Sequence, residues 1–387
     1  MRYVDSTIVA LFKSINRRQF QAIVDRHEGD AYDKVFKSWD HLVALVFAQL
    51  GRVDSLRGLA TTFNANANHH YHLGVGKISR STLSDANPRR PVEVFAETFA
   101  MLSDMADRQT RVEGAEMVRL INASPIPLGK VCQWAKWNGR IRGMKMHVVY
   151  DPHGDCPRCI EVTEATINDI EIGRQVAIEA GATYVFDKGY CHFGWWKKIN
   201  DVKALFVTRV KTNTRLRATR RRYVRKIYGD GFKILDDAEV VLASKGDSRL
   251  PIPLRRIKVK RDEGGTLTLI TNDLDRTAVE IAQLYKGRWQ IELLFRWIKQ
   301  HLDIRKFLGT NENAIRLQVL AAMIAYLLLR IAARLHSVKI PALRFAELVS
   351  QRVFMRLPIN AIHKPPPINP SKAQPRCSQD QLVFSYA

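Results

Sequence analysis

The stretch Met117-Val-Arg-Leu-Ile-Asn-Ala-Ser124 begins the part of the chain that decides the fold. Its first five residues alternate and are rich in apolar and β-branched types, which predicts a strand. Two more strand patterns follow, at Gly143–Tyr150 and Cys159–Thr163, with the turn Asp151-Pro-His-Gly-Asp155 between them. Because the connections are short, we expect these strands to form an antiparallel meander.

Helical and strand patterns alternate after the meander. The pattern predicts, in order, a helix over Asp169–Ala180 with Gly181 at its C-cap, a strand over Thr183–Phe186, a helix over Gly194–Asn200 and a strand over Ala204–Val210. The resulting order, β-β-β-α-β-α-β, predicts an α/β layer architecture.

The regions on either side of this α/β part have different patterns. Residues 1–112 show helical spacing throughout, and two short helices there, Leu56–Phe63 and Ile78–Asn87, resemble a DNA-reading helix-turn-helix. A small helical bundle without that role would give the same pattern. We therefore predict an all-helical N-terminal region, with DNA binding as one of two alternatives.

Residues 211–273 break the α/β rhythm with short strand patterns, which predict a β-rich insertion. A long helix over Thr277–His301 and an apolar helix over Asn313–Arg334 follow the insertion, so the α/β domain is expected to span residues 113–335. Residues 336–387 form a C-terminal region whose Pro-rich tail is predicted to be loosely ordered.

Net charge indicates the kind of partner. The 387 residues include 61 Lys and Arg against 38 Asp and Glu, which gives a formal charge of +23. Such a chain is expected to bind a polyanion, with nucleic acid as the first candidate and an anionic membrane surface as its rival. Leu317–Leu329 is too short for the ~20 apolar residues of a membrane span, so we interpret it as a core helix.

Two other features favour a cytoplasmic protein. The first twenty residues lack the continuous apolar core of a secretory signal. The five cysteines are odd in number and scattered, which fits a reducing compartment better than a disulfide framework.

The predicted helix over Leu284–Gln300 carries the polar residues with the most informative spacing. Tyr285, Arg288, Glu292 and Lys299 lie at i, i+3, i+7 and i+14, so at 3.6 residues per turn they share one face. Apolar residues on the opposite side can supply the core stripe. The alternative is an ordinary solvated face, held together by pairs such as Arg288 with Glu292.

A second acid, Asp187, directly follows the apolar strand Thr183–Phe186. Functional groups gather at the carboxyl ends of strands in open α/β sheets. Asp187 and Glu292 together could therefore hold the divalent metal ions of a phosphoryl-transfer enzyme. The alternative for Asp187 is a structural turn or N-cap residue.

These residues resemble the DDE-type insertion-sequence transposases, in insertion sequence family four, over about residues 115–335. The family's Y-x-x-R-x-x-x-E-x-x-x-x-x-x-K signature is complete in Tyr285, Arg288, Glu292 and Lys299, and its Asp-x-Gly-Tyr motif is present as Asp187-Lys-Gly-Tyr190. The resemblance implies a ribonuclease-H-like catalytic domain with a β-rich insertion.

The resemblance also implies an activity. It implies that Asp187 and Glu292 bind two divalent ions, either Mg²⁺ or Mn²⁺. It also implies that Tyr285, Arg288 and Lys299 contact phosphates of the transposon ends. It further implies a homodimer that pairs two inverted-repeat ends of double-stranded DNA in the bacterial nucleoid. Water cleaves each transposon end, and the 3′-OH that is freed then attacks target DNA in strand transfer.

One position departs from the family. Where its members carry the first catalytic Asp, in a sequence like Leu-Ile-Asp-Ala-Ser, this chain has Asn122. The resemblance places Asn122 in the third metal and catalytic position, and its amide can still offer an oxygen to a metal but brings no charge. Three hypotheses follow: an impaired transposase, an inactive relative that only binds DNA, and a metal nuclease outside transposition.

Other candidates are less specific. The segment Lys211–Lys226 carries eight cations and no acid, and its Arg220, Arg221 and Arg222 are candidates for contacts to the DNA backbone. A solvated basic hairpin is the alternative. Trp289 could stack on a displaced base or pack in the core, and Lys145 and His147 share a strand face that could approach phosphates.

Overall fold

The computed structural model describes residues 4–112, 116–129, 132–211, 214–222, 228–229, 231–242, 252–301 and 306–364. The strands are β1 (Val118–Pro127), β2 (Gly143–Asp151), β3 (Cys156–Glu164), β4 (Thr183–Phe186), β5 (Leu205–Arg209), β6 (Leu216–Arg221), β7 (Tyr228–Gly229), β8 (Phe232–Leu242), β9 (Leu254–Arg261) and β10 (Thr266–Thr271). The helices before β1 are α1 (Thr7–Phe12), α2 (Arg17–Arg26), α3 (Ser38–Leu50), α4 (Leu56–Asn64), α5 (His70–Leu73), α6 (Arg80–Arg89) and α7 (Val92–Val112). The later helices are α8 (Asp169–Gly173), α9 (Phe193–Asp201), α10 (Ala278–Gly287), α11 (Trp289–His301), α12 (Glu312–Leu335) and α13 (Ala342–Gln351).

The described strands form one mixed sheet in the order β3-β2-β1-β4-β5-β10-β9-β8-β6, with β7 paired to β8. Strands β1, β2 and β3 are antiparallel neighbours, whereas β4 runs parallel to both β1 and β5. This confirms the predicted order β-β-β-α-β-α-β. Three antiparallel strands followed by two parallel ones form the ribonuclease-H-like arrangement.

The insertion continues the same sheet. Strand β10 pairs antiparallel with β5, and β9, β8 and β6 follow it outward. The strand content predicted for residues 211–273 is thus confirmed. Their attachment to β5 is a long-range pairing that no local sequence pattern specifies.

The helix predicted over Asp169–Ala180 is wrong in length, because α8 ends at Gly173. A Cβ built at Gly173 would lie 2.8 Å from Cδ1 of the Tyr190 ring, so this close approach requires glycine. Residues 174–181 instead turn back towards β4, and Gly181 has a φ of +76°, which favours glycine. Tertiary packing overrode the amphipathic pattern here.

The long helix predicted over Thr277–His301 is also divided. Helices α10 and α11 meet at Arg288, where the backbone N–H groups of Arg288 and Ile291 bond to carbonyls three residues earlier. Such i→i−3 bonds tighten a turn and shift the helix axis. The break falls inside the polar signature, between Tyr285 and Glu292.

Helix α12 lies at the centre of the molecule. Among the described residues it is the one helix long and apolar enough to cross a membrane, and 89% of that apolar window is buried inside the protein. The N-terminal helices α3, α6 and α7 pack on α12, and so does β3. The core-helix interpretation is confirmed.

The start of α1 pairs with the segment that follows α13 in this helical layer. The backbone N–H groups of Thr7 and Ile8 donate to the carbonyls of Met355 and Val353, each at 2.9 Å. One continuous apolar core joins the N-terminal helices, the sheet and the C-terminal segment up to Ile362. The division at residues 112 and 113 stays a prediction, and the Pro-rich tail from residue 365 lies outside the described residues.

Candidate active site

The first two candidate residues lie side by side, one within β1 and the other directly after β4. In the parallel register of β1 and β4, Ile121 faces Phe186, and the next residue on each strand is Asn122 or Asp187. Neighbouring strands are about 4.8 Å apart, so these two side chains leave the sheet at adjacent positions. The Oδ1 atom of Asn122 accepts a 2.9 Å hydrogen bond from its neighbour's backbone, the Ala123 N–H.

Helix α11 brings the third candidate to the same place. It packs on β1, and one pocket of about 430 Å³ is lined by Asn122, Glu292 and Lys299. Trp289 and Arg296 also line it. Residues 170 positions apart in the sequence thus share one pocket, a juxtaposition that the sheet and α11 create.

Asp187 is held by two groups outside that pocket. The Tyr285 hydroxyl donates to Asp187 Oδ1 at 3.1 Å, and Arg209 Nη1 lies 3.8 Å from the same oxygen. Burial, followed by the Asp187 charge, raises the pKa of Tyr285 to about 12, so the phenol remains a donor at neutral pH. Tyr285 therefore contacts the carboxylate directly.

Arg209 is a site residue that the motif search did not identify. In the parallel pairing of β4 with β5, Phe186 faces Thr208, so Asp187 and Arg209 are the next pair along. The signal was available in principle: Arg209 ends the fifth strand of a sheet whose neighbouring strand ends at the candidate acid. Recognising it required the strand register, which the sequence alone did not give.

Glu292 is paired with Arg288, the residue at which α10 and α11 meet. Arg288 Nη2 lies 2.7 Å from Glu292 Oε1, while the buried Arg288 Nε has no hydrogen-bond partner among the described residues. Burial lowers the pKa of Arg288, but Tyr285, Glu292 and Asp187 raise it more strongly, so the net direction is upward. The Arg288–Glu292 pair expected for a solvated face is present, but it lies beside the pocket.

These contacts give the charge balance of the site. Asp187 and Glu292 contribute −2, and Arg209 and Arg288 contribute +2, so the four groups sum to zero. An Asp at position 122 would make the sum −1. With Asn122, these four paired groups provide no net attraction for a cation, and the pocket-lining Lys299 and Arg296 add positive charge.

The donor atoms nevertheless suit a hard divalent cation. Carboxylate oxygens of Asp187 and Glu292 and an amide oxygen of Asn122 are the ligand types that Mg²⁺ and Mn²⁺ prefer. Within the described ranges, no group of three or more His, Cys, Asp and Glu residues is arranged to hold a metal. The set therefore fits the ion in donor chemistry and lacks one negative charge.

The hydroxyl of Tyr285 provides a direct test of how Asp187 is held. Replacing Tyr285 by Phe removes one hydrogen bond to a charged group, which contributes about 1.5–3 kcal/mol, and leaves the ring packing unchanged. We expect cleavage of end DNA to fall roughly 10-fold, with DNA affinity changed less than threefold. Single-turnover cleavage assays measure this, and an affinity loss that matched the rate loss would favour a phosphate contact instead.

Lys145 and His147 have structural partners. The Lys145 ammonium donates to the Ile167 carbonyl at 2.7 Å and to Asp169 at 2.9 Å. His147 is buried, its Nε2 lies 2.9 Å from Thr163 Oγ1, and burial lowers its pKa to about 4. The suggestion that they approach phosphates is therefore not supported by their contacts.

The other candidate side chains differ in exposure. Trp289 is 50% exposed, so the core alternative for it is wrong, while stacking on a base stays a prediction. Arg220 and Arg221 project from the sheet-edge strand β6, and Arg220 is 78% exposed. Arg222 instead donates to the Leu274 carbonyl at 2.6 Å and to Glu239 at 3.1 Å, so its guanidinium holds the insertion together.

The two N-terminal helices proposed as a DNA reader are α4 and α6. They contact one another, but residues 65–79 separate them and contain α5, which is longer than a three- or four-residue turn. Asn87, at the end of α6, is buried and bonds to His41 Nε2 at 3.0 Å. Its amide therefore holds the bundle together, and DNA reading by the exposed face of α6 stays a prediction.

A ribonuclease-H-like sheet with an Asp directly after β4 and a helical Glu packed against β1 is typical of metal-dependent polynucleotide phosphodiester enzymes. The family model for the transposase DDE domain matches residues 113–328, which is more than half of the chain. The chain belongs to the DDE transposase family. A domain of unknown function matches residues 5–76.

The curated relatives are described as transposases. A putative transposase, y4zB, of Sinorhizobium fredii is 64% identical over 304 residues, which cover 79% of this chain and 85% of that protein. A probable transposase for insertion sequence element IS5377 of Geobacillus stearothermophilus is 28% identical over 66% of this chain and 68% of its own length. The protein is a transposase of an insertion sequence, and its family makes it an enzyme.

A solved structure shows the same fold. The piggyBac transposase, in a synaptic complex with hairpin DNA, superposes with a TM-score of 0.51 at 9% identity, covering 95% of this chain and 84% of that one. The ribonuclease-H-like expectation from the sequence is thus confirmed. At this identity the likeness concerns fold alone.

Proposed function

We propose that this transposase binds the inverted-repeat ends of its insertion sequence and cleaves them at a site built from Asp187, Glu292 and Asn122. One observation carries the proposal. The parallel strands β1 and β4 place Asn122 beside Asp187, and α11 places Glu292 in the same pocket as Asn122. Assignment to insertion sequence family four rests on the Tyr285, Arg288, Glu292 and Lys299 signature.

Asp187, Glu292 and Asn122 would hold Mg²⁺ or Mn²⁺, in keeping with the metal dependence of the family. Bound as a pair of ions, the metal would activate the attacking oxygen and stabilise the leaving one. Tyr285 fixes the orientation of Asp187 through its hydroxyl, and Arg209 adds a positive charge beside the same oxygen. Both contacts are to the same oxygen, Oδ1, and they hold the carboxylate in one orientation.

Arg288 and Lys299 are suited to hold the scissile phosphate. Arg288 uses one terminal nitrogen for Glu292, and its buried Nε lacks a hydrogen-bond partner in the described part of the chain. A buried donor of this kind is satisfied by an incoming phosphate oxygen. Lys299 lines the pocket shared by Asn122 and Glu292, where its charge can reach the same phosphate.

The reaction sequence we propose has two steps. Water attacks the phosphorus at the transposon end and the P–O3′ bond breaks, which frees a 3′-OH on the element and leaves a 5′-phosphate on the flanking strand. The freed 3′-OH then attacks a phosphorus of target DNA, whose own 3′ oxygen leaves. Pairing two ends requires two copies of the chain, so we propose a homodimer that acts on nucleoid DNA in the cytoplasm.

Binding to the element's own ends tests the proposed function. Labelled duplexes that carry the inverted repeats flanking the gene are compared with shuffled duplexes of the same composition and length. We expect the full chain to bind the repeats at least 100-fold more tightly at physiological salt, because specific binding exceeds non-specific binding by roughly 10³–10⁷. Equal binding to both duplexes would contradict an end-binding transposase.

The neutral charge of the site supports a second candidate, a protein that binds ends without cutting them. It keeps every DNA contact above but binds no catalytic metal, because Asn122 supplies no charge. A metal nuclease outside transposition is the third candidate, and it would cleave shuffled duplexes as readily as the repeats. The Asn122→Asp experiment in the Discussion separates the first two.

Arg220 and Arg221 should contribute to DNA affinity through charge alone. We expect the Arg220→Ala, Arg221→Ala double variant to reduce the slope of log Kd against log salt by about 1.8, because each lost phosphate contact removes about 0.9. The Lys339→Ala, Arg344→Ala variant removes the same charge from exposed positions next to and within α13 and should leave the slope unchanged. Equal slopes for both variants would remove β6 from the interface.

A further inference from the structure

The connection between β1 and β2 is a surface feature that the catalytic site does not use. Residues 128–142 contain two tryptophans, four cations and no acid. In the described part of this segment, Trp137 is 59% exposed and Trp134 is 37% exposed. An exposed pair of tryptophans three residues apart is unusual, because each loses a large area of apolar burial.

The segment follows the carboxyl end of β1, at the same end of the sheet as the candidate site. Strand β1 continues five residues beyond Asn122 to Pro127, or roughly 16 Å at about 3.3 Å per residue, before the connection begins. Asp187 lies at the same edge because β4 is parallel to β1. DNA held at Asn122, Asp187 and Glu292 would therefore pass close to residues 132–142.

The backbone beneath Trp137 is fixed. The Asn138 side chain accepts hydrogen bonds from the N–H groups of Arg140 and Ile141, both at 3.0 Å, and donates to the Ala165 carbonyl at 3.1 Å. Gly139 has a φ of +88°, which the tight turn requires. The Trp137 ring is therefore presented by a turn that needs no ordering when a ligand arrives.

A second contact joins the segment to the connection between α11 and α12. Trp134 Nε1 donates to the Thr310 carbonyl at 2.7 Å, in the connection between α11 and α12, while Cys132 and Ala135 are buried beneath the segment. Trp134 is thus partly structural. Trp137 has no hydrogen-bond role in the described structure and carries the larger exposed area.

The charge around Trp137 selects the partner. Arg140 and Arg142 are exposed, and Lys136 is paired with Glu164 at 2.9 Å. An exposed aromatic ring among cations matches single-stranded or unpaired DNA, whose bases stack on the ring while the phosphates meet the arginines. A second copy of this +23 chain is disfavoured at this surface by charge repulsion.

We propose that Trp137 is a stacking platform for a base unpaired beside the cleavage site, with Arg140 and Arg142 holding the adjoining phosphates. This proposal rests on the proposed function, because it needs DNA at the catalytic edge. It assigns to the β1–β2 connection a role in gripping distorted DNA, separate from the Tyr285, Arg288, Glu292 and Lys299 signature.

The test measures affinity for two probes by fluorescence anisotropy with the full chain. The first probe is a fully paired terminal-repeat duplex, and the second has three unpaired nucleotides at the element's end. Trp137→Ala should weaken binding to the unpaired probe roughly 5- to 150-fold, the effect of losing one base stack, and to the paired probe less than threefold. Trp137→Phe keeps a ring and should recover most of the affinity.

Tyr32→Ala is the matched control. Tyr32 is a fully exposed aromatic residue in the connection between α2 and α3, where Asp30 and Asp33 are paired with Arg90, so its loss should not distinguish the two probes. Thermal unfolding verifies that each variant is folded.

Each of three outcomes would refute either the proposed function or the proposal for Trp137. If the wild-type protein does not prefer the terminal repeat, the proposed function fails and the platform with it. If it does, and Trp137→Ala binds both probes as well as wild type, the platform alone is overturned. If the variant binds single ends normally but no longer pairs two ends, the surface contacts a second copy and the assignment to DNA is wrong.

Discussion

Replacing Asn122 by Asp is expected to raise the rate of end cleavage roughly 100-fold or more, because a metal site supplies several kcal/mol of transition-state stabilisation. The substitution changes the summed charge of position 122 and the two ion pairs, Asp187 with Arg209 and Glu292 with Arg288, from zero to −1. It replaces an amide with a carboxylate of nearly the same shape. The backbone contact survives, since a carboxylate oxygen also accepts the Ala123 N–H. Cleavage of labelled repeats in Mn²⁺ measures the rate, and calorimetric titration measures Mn²⁺ affinity.

Asn16→Asp is the matched control for this substitution. Asn16 is exposed and caps α2 through its side-chain oxygen, a role that Asp fills equally well. It adds the same charge far from β1 and should alter neither cleavage nor Mn²⁺ affinity. Equal cleavage by the wild-type and Asn122→Asp proteins would refute the idea that Asn122 impairs the site. Tighter Mn²⁺ binding without cleavage would show that further residues have lost their function.

Glu292→Ala in the Asn122→Asp background should abolish cleavage, with a loss of at least about 100-fold, while affinity for the repeats stays within threefold. The carboxylate is a metal ligand in our proposal, whereas DNA affinity comes mainly from cations. Removing it also frees Arg288 Nη2 from its 2.7 Å ion pair, which adds a positive charge available to phosphate. We therefore expect binding to be unchanged or slightly tighter.

A closely matched ion pair lies elsewhere in the chain. Glu312 and Arg316 form an i, i+4 pair at 2.7 Å on α12, the same geometry as Arg288 with Glu292 in reverse order. Glu312→Ala removes one helical salt bridge without touching the pocket and should leave cleavage intact. Glu292→Gln keeps the size of the side chain and should be as inactive as Glu292→Ala. Activity in the Gln variant, or loss of DNA binding in a folded Ala variant, would argue against a metal role for Glu292.

The order of the strands and the type of most helices were predictable from the sequence because they depend on local periodicity. Apolar alternation identified β1 and β2, and helical spacing identified α4 and α12. The failures also have local causes. The helix after Asp169 stops where Gly173 meets the Tyr190 ring, and the signature helix breaks at Arg288, both consequences of packing between distant segments.

The candidate acids were predictable in kind, and their partners were not. Asp187 follows a strand and Glu292 sits in a specific spacing, so both can be found without coordinates. Arg209 was missed because its proximity to Asp187 depends on which residues of β4 and β5 face each other. Trp137 was missed because exposure of a tryptophan is a property of the folded surface.

The sequence by itself determined the order of strands and helices along the catalytic domain, the basic charge that favours a polyanionic partner, and the absence of an acid at position 122. Only the tertiary structure decided that Asn122 and Asp187 lie next to each other on neighbouring strands and that Glu292 shares a pocket with Asn122. It also decided that each of the two acids is paired with an arginine. The physical reason is range. Periodicity and charge are properties of neighbouring residues, whereas a site depends on the strand register and helix packing that join residues far apart in the chain.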